Sequence, residues 1–131
     1  MKILKGILLV VVMLVVAILV FAAFLPSSYK VERSALINAK PETIKGLIAD
    51  LHKWDAWSPW KESDTAAVYK YNDTIGMGGW MDWNGEIVGA GKLTITGTDT
   101  AVTYILQFTA PWESESEGFF KLKETDGGTH V

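Results

Sequence analysis

The chain has 131 residues, with twelve basic and fifteen acidic side chains and no cysteine. This length is enough for one folded domain rather than two. The lack of cysteine excludes disulfides, cysteine-ligated zinc and a thiol nucleophile. Residues 26–131 carry ten basic and fifteen acidic side chains, a net charge of −5. Because nucleic-acid binding depends on a basic surface that displaces phosphate counterions, we expect no nucleic-acid partner.

The chain begins with a membrane-type segment. Residues 7–25 are all apolar, nineteen in a row, and as a helix they would be roughly 28 Å long, close to the hydrocarbon core of a bilayer. The sequence therefore predicts a single-pass anchor over residues 1–25, with the membrane as a partner, and a soluble domain over residues 26–131. A cleaved signal peptide is the alternative, because Val20 and Ala22 fit a small-residue cleavage pattern.

The charges that flank this segment are nearly balanced. Lys2 and Lys5 precede it, whereas Lys30 and Arg33 follow it. The free amino terminus and the very short leading tail favour an N-terminus inside the cell. We therefore predict that the soluble domain lies on the extracytoplasmic side.

The soluble part begins with a predicted strand over residues 29–37. A helix is expected from Pro41, since proline suits the first helical turn. Its apolar face follows the helical period, and its other face is polar. The apolar positions are Ile44, Leu47, Ile48 and Leu51, and the solvent-facing positions are Glu42, Lys45 and Asp50.

After residue 66 the apolar period changes to two, which is typical of strands. Strands are predicted over residues 66–71, 80–86, 92–96, 102–109 and 114–125, and glycine-rich turns separate several of them. The order of one strand, one helix and then consecutive antiparallel strands predicts an α+β fold.

The end of the sequence carries a further expectation. Asp126-Gly127-Gly128-Thr129 is typical of a tight hairpin turn, because glycine accepts positive φ. Only His130 and Val131 follow, which is a short second arm for a hairpin. We therefore expect the sequence to stop inside a strand, and the inner-face side chains of the sheet to lack their cover. These side chains are Val102, Tyr104, Leu106, Phe108, Phe120 and Leu122.

Several motifs together indicate a family. They are Ile37-Asn38-Ala39-Lys40-Pro41-Glu42, Asp50-Leu51, Trp54-Asp55-Ala56-Trp57-Ser58-Pro59-Trp60, Trp83-Asn84-Gly85, Gly89-x-Gly91, Pro111-Trp112-Glu113-Ser114 and the terminal Gly-Gly-Thr hairpin. This pattern resembles the polyketide cyclase/dehydrase-like branch of the START-like (SRPBCC) superfamily, in particular bacterial members with one N-terminal membrane helix. The resemblance covers residues 29–131.

The resemblance implies the helix-grip fold, in which a curved antiparallel sheet wraps around a C-terminal helix and encloses a cavity. That helix is missing from this sequence. The implied function is binding of a hydrophobic small molecule, lipid- or isoprenoid-like, without a cofactor. The expected ligand-binding side chains are Trp57, Trp60, Tyr69, Trp83, Tyr104, Phe108 and Phe120. Two alternatives remain: a cyclase- or dehydratase-like enzyme that uses the same cavity, and an aromatic-rich docking domain of the cell envelope.

Other candidate groups favour structural roles. Trp54, Trp57 and Trp60, spaced by three, are predicted to cap the sheet and anchor the loop after the helix, although an aromatic ligand lining or a carbohydrate-stacking surface is also consistent with them. Trp80 and Trp83 differ in parity, so only one of them can face a cavity.

The charged and imidazole side chains give no strong catalytic pattern. Glu113, Glu115 and Glu117 are expected on the solvated outer face rather than at a calcium site. Asp82 and Glu86 share a strand face but have no visible nucleophile, which disfavours an acid–base pair. His52 and His130 have no partner at metal-binding spacing, so we expect no metal site and assign no catalytic residue.

Overall fold

The computed structural model describes residues 1–131, which divide into two compact units, residues 1–33 and residues 34–131. The first unit contains helix α1, Lys2–Ala23. Its 22 residues give a length of roughly 33 Å, and none of them is buried. By length and composition, α1 can cross a membrane.

The second unit is an α+β structure with antiparallel sheets, as the sequence predicts. Its helical segments are α2 (Pro41–Ala49), a 3-10 helix (Leu51–Ala56) and α3 (Trp60–Ser63). Its strands are β1 (Leu36–Ile37), β2 (Val68–Tyr71), β3 (Trp80–Gly85), β4 (Gly89–Gly97), β5 (Ala101–Ala110), β6 (Ser114–Lys121), β7 (Lys123–Thr125) and β8 (Gly128–His130).

These strands form two sheets. The larger sheet has the order β2-β3-β4-β5-β6, so each strand pairs with its neighbour in sequence. The smaller sheet has the order β1-β8-β7. All pairings are antiparallel, which fits the short turns between strands, because parallel strands need long crossover connections.

One face of the larger sheet, here called the inner face, packs against α2 and the 3-10 helix. Alternate residues of the central strands are fully buried there because side chains alternate across a strand. The buried core consists of Ile44, Ile48, Leu51, Trp54, Met81, Trp83, Leu93, Ile95 and Val102. The opposite, outer face carries mostly polar side chains.

The apolar face of α2 differs from the prediction in two residues. Ile44, Ile48 and Leu51 are buried as predicted, but Leu47 is 39% exposed. Asp50, predicted to face solvent, is buried. The α-helix ends at Ala49, and Asp50 adopts an extended conformation that starts the 3-10 helix. The helical period therefore stops before Asp50, and Leu47 lies at the margin of the covered face.

The buried carboxylate of Asp50 has local partners. Its Oδ1 accepts a hydrogen bond from the backbone N–H of His52 at 3.2 Å and lies 3.4 Å from the Nδ1 of His52. Its Oδ2 lies 3.7 Å from the Nζ of Lys53. Asp50 thus caps the 3-10 helix, which explains why an acidic side chain is tolerated inside.

The first and last strands also correct the sequence-based boundaries. The strand predicted over residues 29–37 is regular only at Leu36–Ile37, although Ala35 exchanges backbone hydrogen bonds with Val131. Its partner β8 pairs with Leu36 and Ile37. The strand predicted over 114–125 is interrupted at Leu122, and its two parts belong to different sheets.

The hairpin predicted at residues 126–129 is confirmed. Gly128 has φ of +131°, and a Cβ there would lie 2.1 Å from the carbonyl oxygen of Ile37. Strand β8 pairs with both β7 and β1. The fully buried hydroxyl of Thr129 donates to the carbonyl of Ala39 at 2.7 Å, which ties the hairpin to the start of α2.

The expectation that six inner-face side chains lack cover is wrong for Val102, which is 1% exposed because helical segments and neighbouring strands pack over it. The other five side chains pack against the core and remain partly exposed: Tyr104, Leu106, Phe108, Phe120 and Leu122. The inner face is therefore covered at one end and half open at the other.

A buried aspartate connects the segment before β2 to the turn between β3 and β4. The Oδ2 atom of Asp64 accepts backbone N–H bonds from Ile87 at 2.9 Å and Val88 at 3.3 Å. The Ile87 hydrogen bond in particular lowers the pKa of Asp64 below its ordinary value of 3.8; burial acts in the opposite direction, and the Val88 hydrogen bond lowers it further. These bonds are strongest while the carboxyl is ionised, because a charged acceptor binds N–H groups more tightly than a neutral one.

The pKa of Asp64 is lower in the folded than in the unfolded state. Asp64 therefore stabilises the turn fully at pH values above the unfolded-state pKa, and this stabilisation is lost as the pH falls through the folded-state pKa. We expect the hydrogen-exchange protection of the Ile87 amide to fall on acidification below pH 3.8. Asp64→Asn should reduce the protection of the Ile87 amide at neutral pH. In this variant the protection should no longer fall on acidification, because asparagine does not titrate. Equal acid sensitivity in the Asn variant would contradict the role of Asp64.

Candidate functional site

An aromatic cluster lies on the inner face of the larger sheet, and Trp54 is at its centre. The Trp54 ring lies 4.7 Å from the Trp57 ring and 5.9 Å from the Trp60 ring, measured between centroids. It also meets Tyr104 at 6.4 Å and Phe120 at 6.2 Å, both edge to face. These distances are typical of stabilising aromatic pairs.

The cluster continues along the sheet toward the end of β5. Trp60 lies 5.7 Å from Trp83, and Trp83 meets Phe108 edge to face at 5.5 Å. On the other side of Trp54, Phe120 lies 6.3 Å from Trp57 and 5.6 Å from Tyr104. The structure thus brings six of the seven predicted ligand-binding residues into one network of rings.

The seventh residue, Tyr69, lies beside this network on β2. Its hydroxyl is buried without a hydrogen-bond partner in the protein. Burial raises its pKa, and the charges of Asp64 and Asp55 raise it further. A cavity of about 10 Å³ adjoins Tyr69, Trp54, Trp60 and Met81, and this volume is enough for one water molecule.

The side-chain N–H groups of three tryptophans are used within the protein. Trp54 Nε1 donates to the carbonyl of Ile48 at 2.8 Å, and Trp57 Nε1 donates to that of Leu47 at 3.2 Å. Both bonds attach the loop after α2 to the helix, as the predicted anchoring role requires. Trp83 Nε1 donates to the carbonyl of Val88 at 3.3 Å. These three groups are therefore not free to recognise a polar ligand.

A glycine makes room for one of the rings. A Cβ at Gly118 of β6 would lie 2.1 Å from the Tyr104 ring and 2.3 Å from its hydroxyl oxygen. The ring of Tyr104 thus occupies the space above Gly118, where burial raises the pKa of its hydroxyl. Tyr104 and Phe120 form the boundary between the packed and the open parts of the inner face.

The open part is the region where a ligand has access. Leu106, Phe108, Phe120 and Leu122 are partly exposed, and Trp57 is 42% exposed at the margin. The packed part contains the small cavity beside Tyr69. The apolar surface that is accessible from outside the domain is therefore this half-open part of the inner face.

The prediction that Trp80 and Trp83 point to opposite faces of β3 is confirmed. Trp83 faces the buried side, whereas Trp80 lies on the outer face, where the Nζ of Lys92 is 4.6 Å from its ring centroid. The outer-face position of Glu115 and Glu117 is also confirmed, since both are exposed and Glu115 accepts a hydrogen bond from Gln107 at 3.0 Å.

The outer face holds an open groove of about 1320 Å³. One row across the strands supplies its centre, in the order Lys70, Asp82, Lys92, Gln107 and Glu115. Asp82 and Glu86 both line the groove, but its lining contains no histidine, cysteine or tyrosine beside them. The candidate acid–base pair thus has no orienting partner there.

His52 belongs to a network of side chains at the surface. Its ring stacks on Tyr71 at 4.6 Å, and the Tyr71 hydroxyl donates to Asp55 Oδ1 at 3.2 Å. Asp55 also pairs with Lys61. Burial, followed by the charge of Asp55 and its hydrogen bond, raises the pKa of Tyr71. Because the Tyr71 proton is held by Asp55, this arrangement keeps the tyrosine neutral.

No group of three or more histidine, cysteine, aspartate or glutamate side chains is placed to hold a metal ion. His130 lies on β8 and is exposed. Comparisons of the chain with protein-family models, curated proteins and solved structures found no match. The function is therefore inferred from the geometry of the inner face.

Proposed function

We propose that the protein is a membrane-anchored domain that binds a hydrophobic small molecule, lipid- or isoprenoid-like, on the inner face of its larger sheet. One observation carries this proposal: the aromatic network continues from the buried core to a half-open apolar surface. A contiguous, partly exposed apolar surface that continues a packed core offers an apolar ligand area to bury.

The proposal includes the helix-grip fold and membership of the START-like superfamily. The element order supports it: a short strand and helical segments precede the antiparallel strands, and the aromatic side chains gather on the sheet face that the helices cover. In this fold the inner face of the sheet forms one wall of the ligand cavity.

An apolar ligand fits this surface better than a polar one. The partly exposed side chains are leucine and phenylalanine, and the tryptophan N–H groups nearby already have backbone partners. The binding free energy then comes chiefly from buried apolar area, about 25 cal/mol per Å². The anchor supports the same assignment because it holds the domain beside a reservoir of apolar molecules.

The proposal can be tested by extracting the compounds that co-purify with the full chain and identifying them by mass spectrometry. Trp57→Ala and Phe108→Ala should lower the bound amount several-fold relative to the unchanged protein. Trp112→Ala is the matched control because Trp112 is 72% exposed and forms no ring contact in the cluster. Equal yields from all variants, or no compound enriched above a detergent blank, would exclude the inner face as the site.

We also propose that the domain lies on the extracytoplasmic side of the membrane, on the basis of Lys2, Lys5 and the short leading tail. A periplasmic-type reporter fused after Val131 is expected to be active. Activity of a cytoplasm-only reporter at the same position would reverse this orientation.

A further inference from the structure

The hydroxyl group of Tyr69 is a buried polar group that the protein itself leaves unpaired. Its oxygen is closed off from solvent and has no hydrogen-bond partner among the protein atoms. No other buried side-chain nitrogen or oxygen is in this position. A hydroxyl buried without a partner costs free energy, and native proteins nearly always supply one, either a protein group or an ordered water.

The cavity beside this hydroxyl is polar on one side. Its lining includes Asp55 of the 3-10 helix, Ser58 of the loop that follows, and Lys61 of α3. A cavity of about 10 Å³ holds one water molecule when two to four polar groups surround it. Together with Tyr69, these three side chains supply that number of polar groups.

Asp55 is a nearby acceptor that Tyr69 does not reach directly. Burial raises the pKa of Tyr69, and the charges of Asp64 and Asp55 raise it further, so the Asp55 carboxylate lies close to the neutral hydroxyl. No direct hydrogen bond joins the two groups. The neighbouring Tyr71, in contrast, donates to Asp55 Oδ1 at 3.2 Å. A carboxylate has about four acceptor positions, so Asp55 can accept a further bond from a water.

Ser58 and Lys61 complete the surroundings of this position. Ser58 Oγ accepts the backbone N–H of Trp60 at 3.5 Å, and its own O–H remains available as a donor. Lys61 Nζ lies 5.2 Å from the centroid of the Tyr69 ring and pairs with Asp55. The cavity therefore offers both donors and acceptors to a water molecule.

We propose that the cavity beside Tyr69 is a binding site for one internal water molecule, which accepts a hydrogen bond from the Tyr69 hydroxyl and donates one to the Asp55 carboxylate. This water joins strand β2 to the 3-10 helix, the segment that carries Trp54 and leads to Trp57 and Trp60. The bridge fixes the tryptophan-bearing loop against the sheet, and it does not depend on the proposed ligand.

A crystal structure of the full chain tests the site directly, if it is grown from a lipid mesophase and resolves ordered water. One water should lie about 2.8 Å from both the Tyr69 hydroxyl oxygen and a carboxylate oxygen of Asp55. An empty cavity would overturn the proposal. A direct hydrogen bond from the Tyr69 hydroxyl to a protein group would overturn it as well.

Tyr69→Phe is an independent test, because its effect on stability has opposite signs with and without the water. If the water is bound, the variant loses a hydrogen bond, and the equilibrium constant for folding should fall by roughly two- to tenfold. If the hydroxyl is unpaired, its removal relieves a desolvation cost, and the constant should rise by about fivefold or more. Urea denaturation of the full chain in detergent micelles measures this change. A constant that is unchanged or larger would overturn the proposal.

Tyr71→Phe is the matched control for this measurement. It removes a hydroxyl that donates directly to the same carboxylate, so the folding constant should fall whether or not the water is bound. A fall for both variants is the expected result. A fall for Tyr71→Phe together with a rise for Tyr69→Phe would show that Tyr69 has no partner and would overturn the water site.

Discussion

Ile48→Asp is expected to abolish cooperative folding of residues 34–131. Ile48 is buried on the face of α2 that covers the sheet, and its backbone carbonyl accepts the Trp54 indole N–H. The substitution places an unpaired charge among apolar side chains, a change that costs more than about 4 kcal/mol. This loss approaches the whole stability of a small domain, about 5–15 kcal/mol.

Leu47→Asp is the matched control, one residue earlier in the same helix. Both substitutions introduce aspartate into α2, so their effects on helix propensity are similar. Because Leu47 is 39% exposed, its aspartate stays hydrated and should reduce stability by about 1 kcal/mol. Urea denaturation of the full chain in detergent micelles, monitored by tryptophan fluorescence, distinguishes the two. Equal losses would contradict the observed orientation of α2.

Trp54→Ala should destabilise the domain by about 3–5 kcal/mol, the usual range for removing a buried large aromatic side chain. Trp54 is 5% exposed, contacts four other rings, and donates a hydrogen bond to α2. Its removal leaves a cavity and separates the loop from the helix.

Trp112→Ala, at the exposed turn before β6, should change the free energy of unfolding by less than about 0.5 kcal/mol. The two variants remove the same side chain, so their difference measures the packing of the cluster. Similar melting temperatures for both variants would show that Trp54 does not hold the cluster together.

The sequence predicts most of the helices and strands because their apolar residues recur with a clear helical or strand period. Alternation identifies β5, and the helical spacing from Pro41 identifies α2. The period does not show where α2 ends, because Asp50 starts a 3-10 helix through its own side-chain hydrogen bond. For this reason the helical period places Asp50 in the wrong environment. Leu47 lies within α2 and is exposed because it is at the margin of the face that covers the sheet.

The aromatic network is predictable in part. Parity along the strands places Tyr104, Phe108 and Phe120 on the inner face because a strand repeats every two residues. The central position of Trp54 does not follow from the sequence, since its ring contacts come from tertiary packing of the 3-10 helix against β5 and β6. The three-residue spacing between Trp54 and Trp57 is the feature of the sequence that points to a role for Trp54. That spacing predicts that Trp54 anchors the loop after α2, and it does not predict that Trp54 lies at the centre of the aromatic network.

The interruption of the strand at Leu122 also cannot be predicted from the apolar pattern of the sequence. The sequence contains no proline or other strand-breaking residue at Leu122, and the division arises because β7 pairs with β8 rather than with β5. Pairing partners depend on the register of distant segments, which local alternation does not encode.

The central claim, binding of a hydrophobic molecule on the inner face, is tested most directly by photo-crosslinking. The full chain in liposomes is exposed to an isoprenoid alcohol that carries a diazirine group, and labelled peptides are mapped by mass spectrometry. We predict labelling at Leu106, Phe108 and Phe120, with suppression by excess unlabelled alcohol. Labelling confined to α1, or inner-face labelling that excess alcohol does not suppress, would contradict the claim.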